Sequence, residues 1–98
     1  MAGMPYMYIL RCSDGSYYVG STWHVMRRVW EHNHGGGAKY TENRRPVTLA
    51  YFEEYELVAD AYAREKQVQN WGRKKREALI DGRLSDLPGL SHGAGGPT

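Results

Sequence analysis

YMYILRCSDGSYYVGSTWHVMRRVWEH, residues 6–32, is the stretch on which the fold turns. Residues 6–12 are rich in strand formers and alternate weakly, so they read as a strand. Ser13-Asp14-Gly15-Ser16 reads as a turn, because Gly15 accepts a positive φ and Asp14 bonds to nearby backbone. Residues 17–20 read as a second strand. The register of this hairpin decides which side chains meet. A two-residue Asp14-Gly15 loop pairs Tyr8 with Ser21 and puts Tyr8 and Tyr18 on opposite faces. A three-residue Ser13-Asp14-Gly15 loop pairs Cys12 with Ser16, Leu10 with Tyr18 and Tyr8 with Gly20. Both phenols then share a face. That loop needs a left-handed residue at its end, which Gly15 supplies, so an odd-numbered loop or a bulge is expected.

Outward from the hairpin, Thr22 reads as an N-cap and residues 23–33 as a helix. Val25, Val29 and His32 fall on one stripe, with Met26 and Trp30 on the adjoining flank. Arg28 and His32 stand four apart, one turn from each other on one helical face. His34-Gly35-Gly36-Gly37 ends the helix. Residues 38–46 form a basic loop. Residues 47–55 read as a third strand, with Pro46 ahead of it. Residues 57–71 give the longest helix, with Leu57, Ala61, Val68 and Trp71 at core spacing. Gly72 interrupts it, residues 73–81 form a further short helix, and Gly82 stops it. At 100° per residue Glu65 falls beside Ala61 and Val68, at the edge of the buried stripe. A carboxylate there needs a partner, so it should meet Arg28 or hold a metal. The order β-β-α-β-α-α is α+β, a small, mostly antiparallel three-stranded sheet with helices packed on it. We read residues 1–82 as one domain and residues 83–98, rich in Ser, Pro and Gly, as a mobile tail.

Composition bounds the chemistry. A chain of 98 residues has room for one core, and a hydrophobic fraction of 41% argues against disorder. No apolar run approaches the roughly 20 residues of a membrane span, and no leader pattern opens the chain. One cysteine cannot form an internal disulfide, so a reducing cytoplasm is expected. The net charge of +2 implies no polyanion, but its distribution is uneven. Arg64, Lys66, Arg73, Lys74, Lys75 and Arg76 stand against the single acid Glu65, while Glu53, Glu54, Glu56 and Asp60 have no base among them. Charge alone favours ordinary solvated helix faces.

The hairpin and the helix after it resemble the GIY-YIG nuclease superfamily. Its first signature falls on Tyr6-Met7-Tyr8 and its second on Tyr18-Val19-Gly20. The Arg and the His or Tyr that follow match Arg28 and His32, and a later helical Glu matches Glu65. Together with AKYTENRRPVTLAYFEEY, residues 38–55, the chain resembles the small single-domain bacterial branch over roughly residues 5–80. The first triplet lacks the Gly and Ile of the family name, and Val19 replaces Ile. Members often carry a downstream Asn, for which Asn70, five residues past Glu65, stands too early.

The resemblance implies hydrolysis of nucleic-acid phosphodiesters with one divalent cation, Mg²⁺ or Mn²⁺. Such chemistry needs an activated water and cover for the charge of the transition state. Tyr8 and Tyr18 would hold or activate the water, Arg28 would neutralise phosphate with its planar donor fork, and His32 would orient groups or relay a proton. Glu65 would hold the metal, with waters and substrate completing its shell. Gly20 would let a phosphate approach the backbone. Ser21, Arg27, Lys39, Arg44, Arg45, Lys74, Lys75 and Arg76 are the candidate nucleic-acid contacts, with DNA favoured over RNA. Tyr40, Trp23 and Trp71 could stack on unpaired bases.

Each residue taken singly has a plainer reading. Tyr6, Tyr17, Tyr51, Tyr55 and Tyr62 read as packing, Trp71 as core, His32 as a cation at a helix C-terminus and Glu65 as a solvated acid. Two other functions fit the sequence: a binding module of the same fold without catalysis, and a nuclease subunit active only with a partner protein. A monomer or weak dimer is expected.

Overall fold

The computed structural model describes residues 4–82, so the expected tail lies outside the described residues. The elements run β1 Tyr6–Arg11, β2 Tyr17–Thr22, α1 Val25–His34, α2 Lys39–Glu42, β3 Thr48–Glu54, α3 Val58–Gln69 and α4 Arg73–Ile80. The sheet is antiparallel with order β2-β1-β3, as expected for an α+β domain. Among the described residues no helix is long and apolar enough to cross a membrane.

The hairpin takes the three-residue loop. Cys12 N–H donates to Ser16 O at 2.8 Å, and Gly15 holds φ +85°. Asp14 Oδ1 accepts from the Ser16 amide at 3.0 Å and fixes the turn locally. Tyr8 therefore pairs with Gly20 and Leu10 with Tyr18.

β1 is the central strand, and Met7, Tyr8, Ile9 and Leu10 are all buried. Strand alternation splits them between two cores. Met7 and Ile9 pack with Tyr17, Val19, Val68, Ala78 and Leu79, under α3 and α4. Tyr8, Leu10 and Cys12 pack with Val47, Tyr18, Leu49 and Val29, under α1. A bulge in the β1–β3 pairing serves both cores. Ile9 faces Tyr51, but Leu10 faces Leu49, leaving Ala50 as the extra residue. Leu49 and Tyr51 would otherwise share a face. Here Tyr51 joins the first core and Leu49 the second.

Some element edges differ from expectation. Thr22 remains in the sheet, paired with Tyr6, and His24 takes the N-cap position of α1. Thr22 still serves that end, since its Oγ1 accepts the His24 amide at 3.2 Å. The basic loop contains the short helix α2, closed by Thr41 N–H to Ala38 O at 3.1 Å. Leu57 is not on the buried stripe. It is the N-cap of α3 and is exposed, so burial on that helix begins at Ala61. Tyr62, expected to pack, is exposed. Trp71 lies at the core rim, with Arg64 and Lys75 over its ring.

Candidate active site

The register brings Tyr8 and Tyr18 onto the α1 face, with ring centroids 6.4 Å apart. Gly20, opposite Tyr8, is what lets the Tyr8 phenol lie over β2. A Cβ on Gly20 would stand 2.5 Å from Tyr8 Oη and 2.7 Å from its Cζ. This corrects the expectation that Gly20 opens the backbone to a phosphate, because the phenol itself fills that space. The requirement is for room, since Gly20 is not among the glycines of positive φ.

α1 delivers His32 against the same phenol. His32 is fully buried, with Nε2 3.0 Å from Tyr8 Oη and Nδ1 2.8 Å from Thr41 Oγ1. Tyr18 lies against the imidazole at 5.1 Å and stacks on Tyr40 at 6.0 Å. Gly37 packs on His32 so closely that a Cβ there would meet His32 Cα at 2.6 Å. The chain after α1 thus folds back and closes the pocket around the imidazole. His32 is not a helix-end cation. Burial, aided by the positive charge of Arg28, pushes its pKa down to about 4, so it is neutral at pH 7.

Arg28 lies one turn before His32. Its Nη1 donates to Glu31 Oε1 and to Gly36 O, each at 2.9 Å. Those are its short bonds, yet the guanidinium is close enough to Tyr8 to favour the phenolate. Burial outweighs it, and the Tyr8 pKa is pushed up to about 12. Tyr18 is raised too, first by burial and then by the negative charge of Glu65. At neutral pH the resting cluster therefore holds two protonated phenols, a neutral imidazole and a charged guanidinium.

Glu65 arrives from the other face. Ser21 alternates toward α3, and its hydroxyl donates to Glu65 Oε1 at 2.5 Å. Gln69 Nε2 donates to Glu65 Oε2 at 2.8 Å and to Val19 O at 3.0 Å. Lys66 Nζ lies 3.7 Å from the same carboxylate. Because β2 is an edge strand, Glu65 stands at the sheet edge near the phenols, and its charge disfavours ionising both. The expected Arg28 partner is not used, since Arg28 bonds Glu31 and Gly36. Ser21 likewise spends its proton on Glu65 rather than on a substrate. Among the described residues no group of three or more His, Cys, Asp or Glu side chains could hold a metal ion. Glu65 is 12% exposed, and each oxygen keeps a second lone pair beyond its hydrogen bond. That fits an open site with one protein ligand, completed by water and phosphate, and not a closed cage.

The basic residues divide. Arg44 donates to Asp14 Oδ2 at 3.1 Å and to Tyr40 O at 2.7 Å, and covers the Tyr40 ring at 3.9 Å. Arg45 donates to His32 O at 2.8 Å. Both lie on the phenol face, where Lys39 and Arg27 are exposed. Lys74, Lys75 and Arg76 belong to α4, which packs across the sheet on Met7 and Ile9, so they are not brought together with the phenols. Arg76 donates to Val68 O at 3.2 Å and Gln69 O at 2.7 Å, closing the last turn of α3. Its donors are structural.

Thr41, Gly37 and Gln69 support the cluster and were not picked out from the sequence. Gln69 stands four residues past Glu65, a helical spacing that does carry a signal. Thr41 and Gly37 carry none, because they reach His32 only through the return of the chain.

The GIY-YIG catalytic domain matches residues 4–78. A UPF0213 protein of Halobacterium salinarum is 47% identical over 77 residues, which cover 79% of this chain and 100% of that protein. A UPF0213 protein of Staphylococcus aureus is 48% identical over 75 residues, covering 76% of this chain and 92% of that one. The solution NMR structure of a UPF0213 protein from Bacillus halodurans shares 40% identity at TM-score 0.52, over 79% of this chain and 82% of that one. A second NMR structure, of a protein from E. faecalis, shares 35% identity at TM-score 0.57, over 86% and 92%. With the Tyr-Tyr-x-Gly hairpin, the α1 Arg and His and the α3 Glu set at one sheet edge, the chain belongs to the GIY-YIG family, alongside the UPF0213 proteins.

Proposed function

We propose that this protein is a metal-dependent endonuclease acting on nucleic-acid phosphodiester bonds, DNA in preference to RNA. The observation that carries the reading is the convergence of Tyr8, Tyr18, Arg28 and His32 on one face, with Glu65 at the same edge. Among the described residues the buried Tyr8 hydroxyl has a neutral imidazole as its short side-chain partner, with the Arg28 guanidinium alongside. Arg28 meets the phosphate and spreads its charge over two oxygens. Tyr8 and Tyr18 position the attacking water. With its pKa pushed up to about 12, Tyr8 stays protonated at pH 7, so it works by orienting the water through its hydroxyl and not as a base. His32, neutral and 3.0 Å away, holds the phenol in place through a hydrogen bond and leaves the proton on Tyr8. Glu65 would hold Mg²⁺ or Mn²⁺, and the ion when bound supplies positive charge at the phosphate and makes a bound water more acidic. Arg27, Lys39, Arg44 and Arg45 supply backbone contacts on the same face, which bind without reading sequence.

A second reading is a binding module without catalysis. It draws on the two hydrogen bonds that already engage Glu65. One panel separates the two. Branched, single-stranded and duplex substrates are incubated with Mg²⁺, Mn²⁺ or EDTA, beside a Glu65→Ala control. Cleavage that needs metal and Glu65 supports the nuclease. Binding that survives EDTA, with no cleavage under either metal, supports the module.

A further inference from the structure

We infer that Thr41 is a positioning residue: it fixes the proton of His32 on Nδ1, leaving Nε2 as the acceptor of the Tyr8 hydroxyl proton. Four contacts define the arrangement. Thr41 Oγ1 lies 2.9 Å from Ala38 O and 2.8 Å from His32 Nδ1. The Ala38 N–H points at His32 Nδ1 at 3.4 Å, a long bond that would need Nδ1 bare, and Tyr8 Oη lies 3.0 Å from His32 Nε2. His32 and Thr41 are both fully buried, so no solvent competes for these atoms.

The Thr41 hydroxyl has one proton. Ala38 O can only accept, so two oxygens 2.9 Å apart need that proton between them. Thr41 Oγ1 must then accept from His32, which places the imidazole proton on Nδ1. Nε2 is left with a lone pair and faces Tyr8, whose O–H fills it. All three short contacts become hydrogen bonds, and only the 3.4 Å amide contact is given up. In the other tautomer Thr41 donates to Nδ1, and its oxygen faces the Ala38 carbonyl with no proton between. That arrangement keeps the longest contact and loses a shorter one. Arg28 agrees with the first arrangement. A guanidinium only donates, so on its side Tyr8 must be an acceptor, and the phenol's single proton is free for His32.

The consequence is a directed chain, Tyr8 O–H to His32 Nε2 and His32 Nδ1–H to Thr41, ending on the Ala38 carbonyl. It turns the lone pairs of Tyr8 outward, toward Arg28. Thr41 touches neither substrate nor metal in this scheme. It acts by choosing which imidazole nitrogen is bare, as a second partner commonly fixes a histidine tautomer.

The test is long-range ¹⁵N–¹H NMR on the uniformly labelled full chain at pH 7. The expected spectrum shows a protonated Nδ1 and a pyridine-like Nε2 on His32, and a protonated Nε2 in the parent overturns the inference. Thr41→Ser should keep the parent pattern. Thr41→Val, close in shape but without the acceptor, should lose the Nδ1–H form, and if it keeps the parent tautomer Thr41 does not set it. Should Thr41→Val unfold, the parent spectrum and the Thr41→Ser spectrum still decide. The effect on rate rests on the proposed nuclease activity: Thr41→Val should lower kcat about 10- to 100-fold with KM little changed, and Thr41→Ser should restore it. The NMR arm needs no cleavage, so failure of the tautomer and failure of the nuclease reading are told apart.

Discussion

Replacing Gly20 with alanine is the sharpest structural perturbation of the cluster. The new Cβ would stand 2.5 Å from Tyr8 Oη, 2.7 Å from Tyr8 Cζ and 3.1 Å from Tyr18 Cε2. Ordinary contacts between heavy atoms begin near 3.5 Å, so the phenol must retreat by about 1 Å. It has little space to do so, because Tyr8 is 1% exposed and held between Gly20, Tyr18 and His32. Overpacking of this kind costs about 1–3 kcal/mol, and loss of the Tyr8–His32 bond adds roughly 1 kcal/mol. Gly20→Ala should therefore lose about 2–4 kcal/mol in urea unfolding. Tyr8→Phe removes the nearest atom but leaves Cζ at 2.7 Å, so in that background the cost should shrink without vanishing. Gly72→Ala, with nothing within 4 Å, is the control and should cost only the exchange of an N-cap glycine, under about 1 kcal/mol. A cost below about 0.5 kcal/mol for Gly20→Ala, or an equal cost in both backgrounds, would refute the idea that Gly20 exists to seat the phenol.

Other outcomes follow from the same geometry. His32 has a folded pKa near 4 against 6.5 unfolded, so the unfolded chain binds the extra proton between those values. Stability should fall as pH drops from about 6.5 toward 4, by up to about 3 kcal/mol, and unfolding curves that stay flat between pH 7 and 4.5 would contradict this. Arg76→Ala should lower stability by about 1.5–3 kcal/mol through the freed Val68 and Gln69 carbonyls, and a neutral result would mean those bonds are not formed in solution. Lys39→Ala should reduce the log–log salt slope of nucleic-acid binding by about 0.7 to 0.9, and Lys74→Ala should leave it unchanged. The reverse pattern would move the binding face to α4.

Much of this was legible in the chain because it depends on local rules. The hairpin register followed from Gly15 and the period of two, and with it the shared face of Tyr8 and Tyr18. The edge position of Glu65 followed from helical spacing against Ala61 and Val68. What was not legible depends on how distant segments return. Nothing in KYTE announces that Thr41 will bond the His32 imidazole. Nor does a run of three glycines reveal that Gly37 must be bare while Gly35 and Gly36 simply adopt positive φ. Leu57 misled because an apolar residue at the right period can still precede the first turn. That Lys74, Lys75 and Arg76 ride on α4, across the sheet from the phenols, was not legible either, because charge runs carry no information about which face of a sheet receives their helix.

The central claim is that Glu65 holds the ion on which cleavage depends, and Glu65→Gln tests it most directly. The amide is nearly isosteric and can still accept the Ser21 hydroxyl while giving up the bond from Gln69 Nε2, about 1 kcal/mol, so the fold and much of the nucleic-acid affinity should remain. Single-turnover cleavage with Mg²⁺ or Mn²⁺ should fall by two to four orders of magnitude, roughly 3 to 5 kcal/mol of transition-state stabilisation. Parent-like cleavage by folded Glu65→Gln would contradict the account.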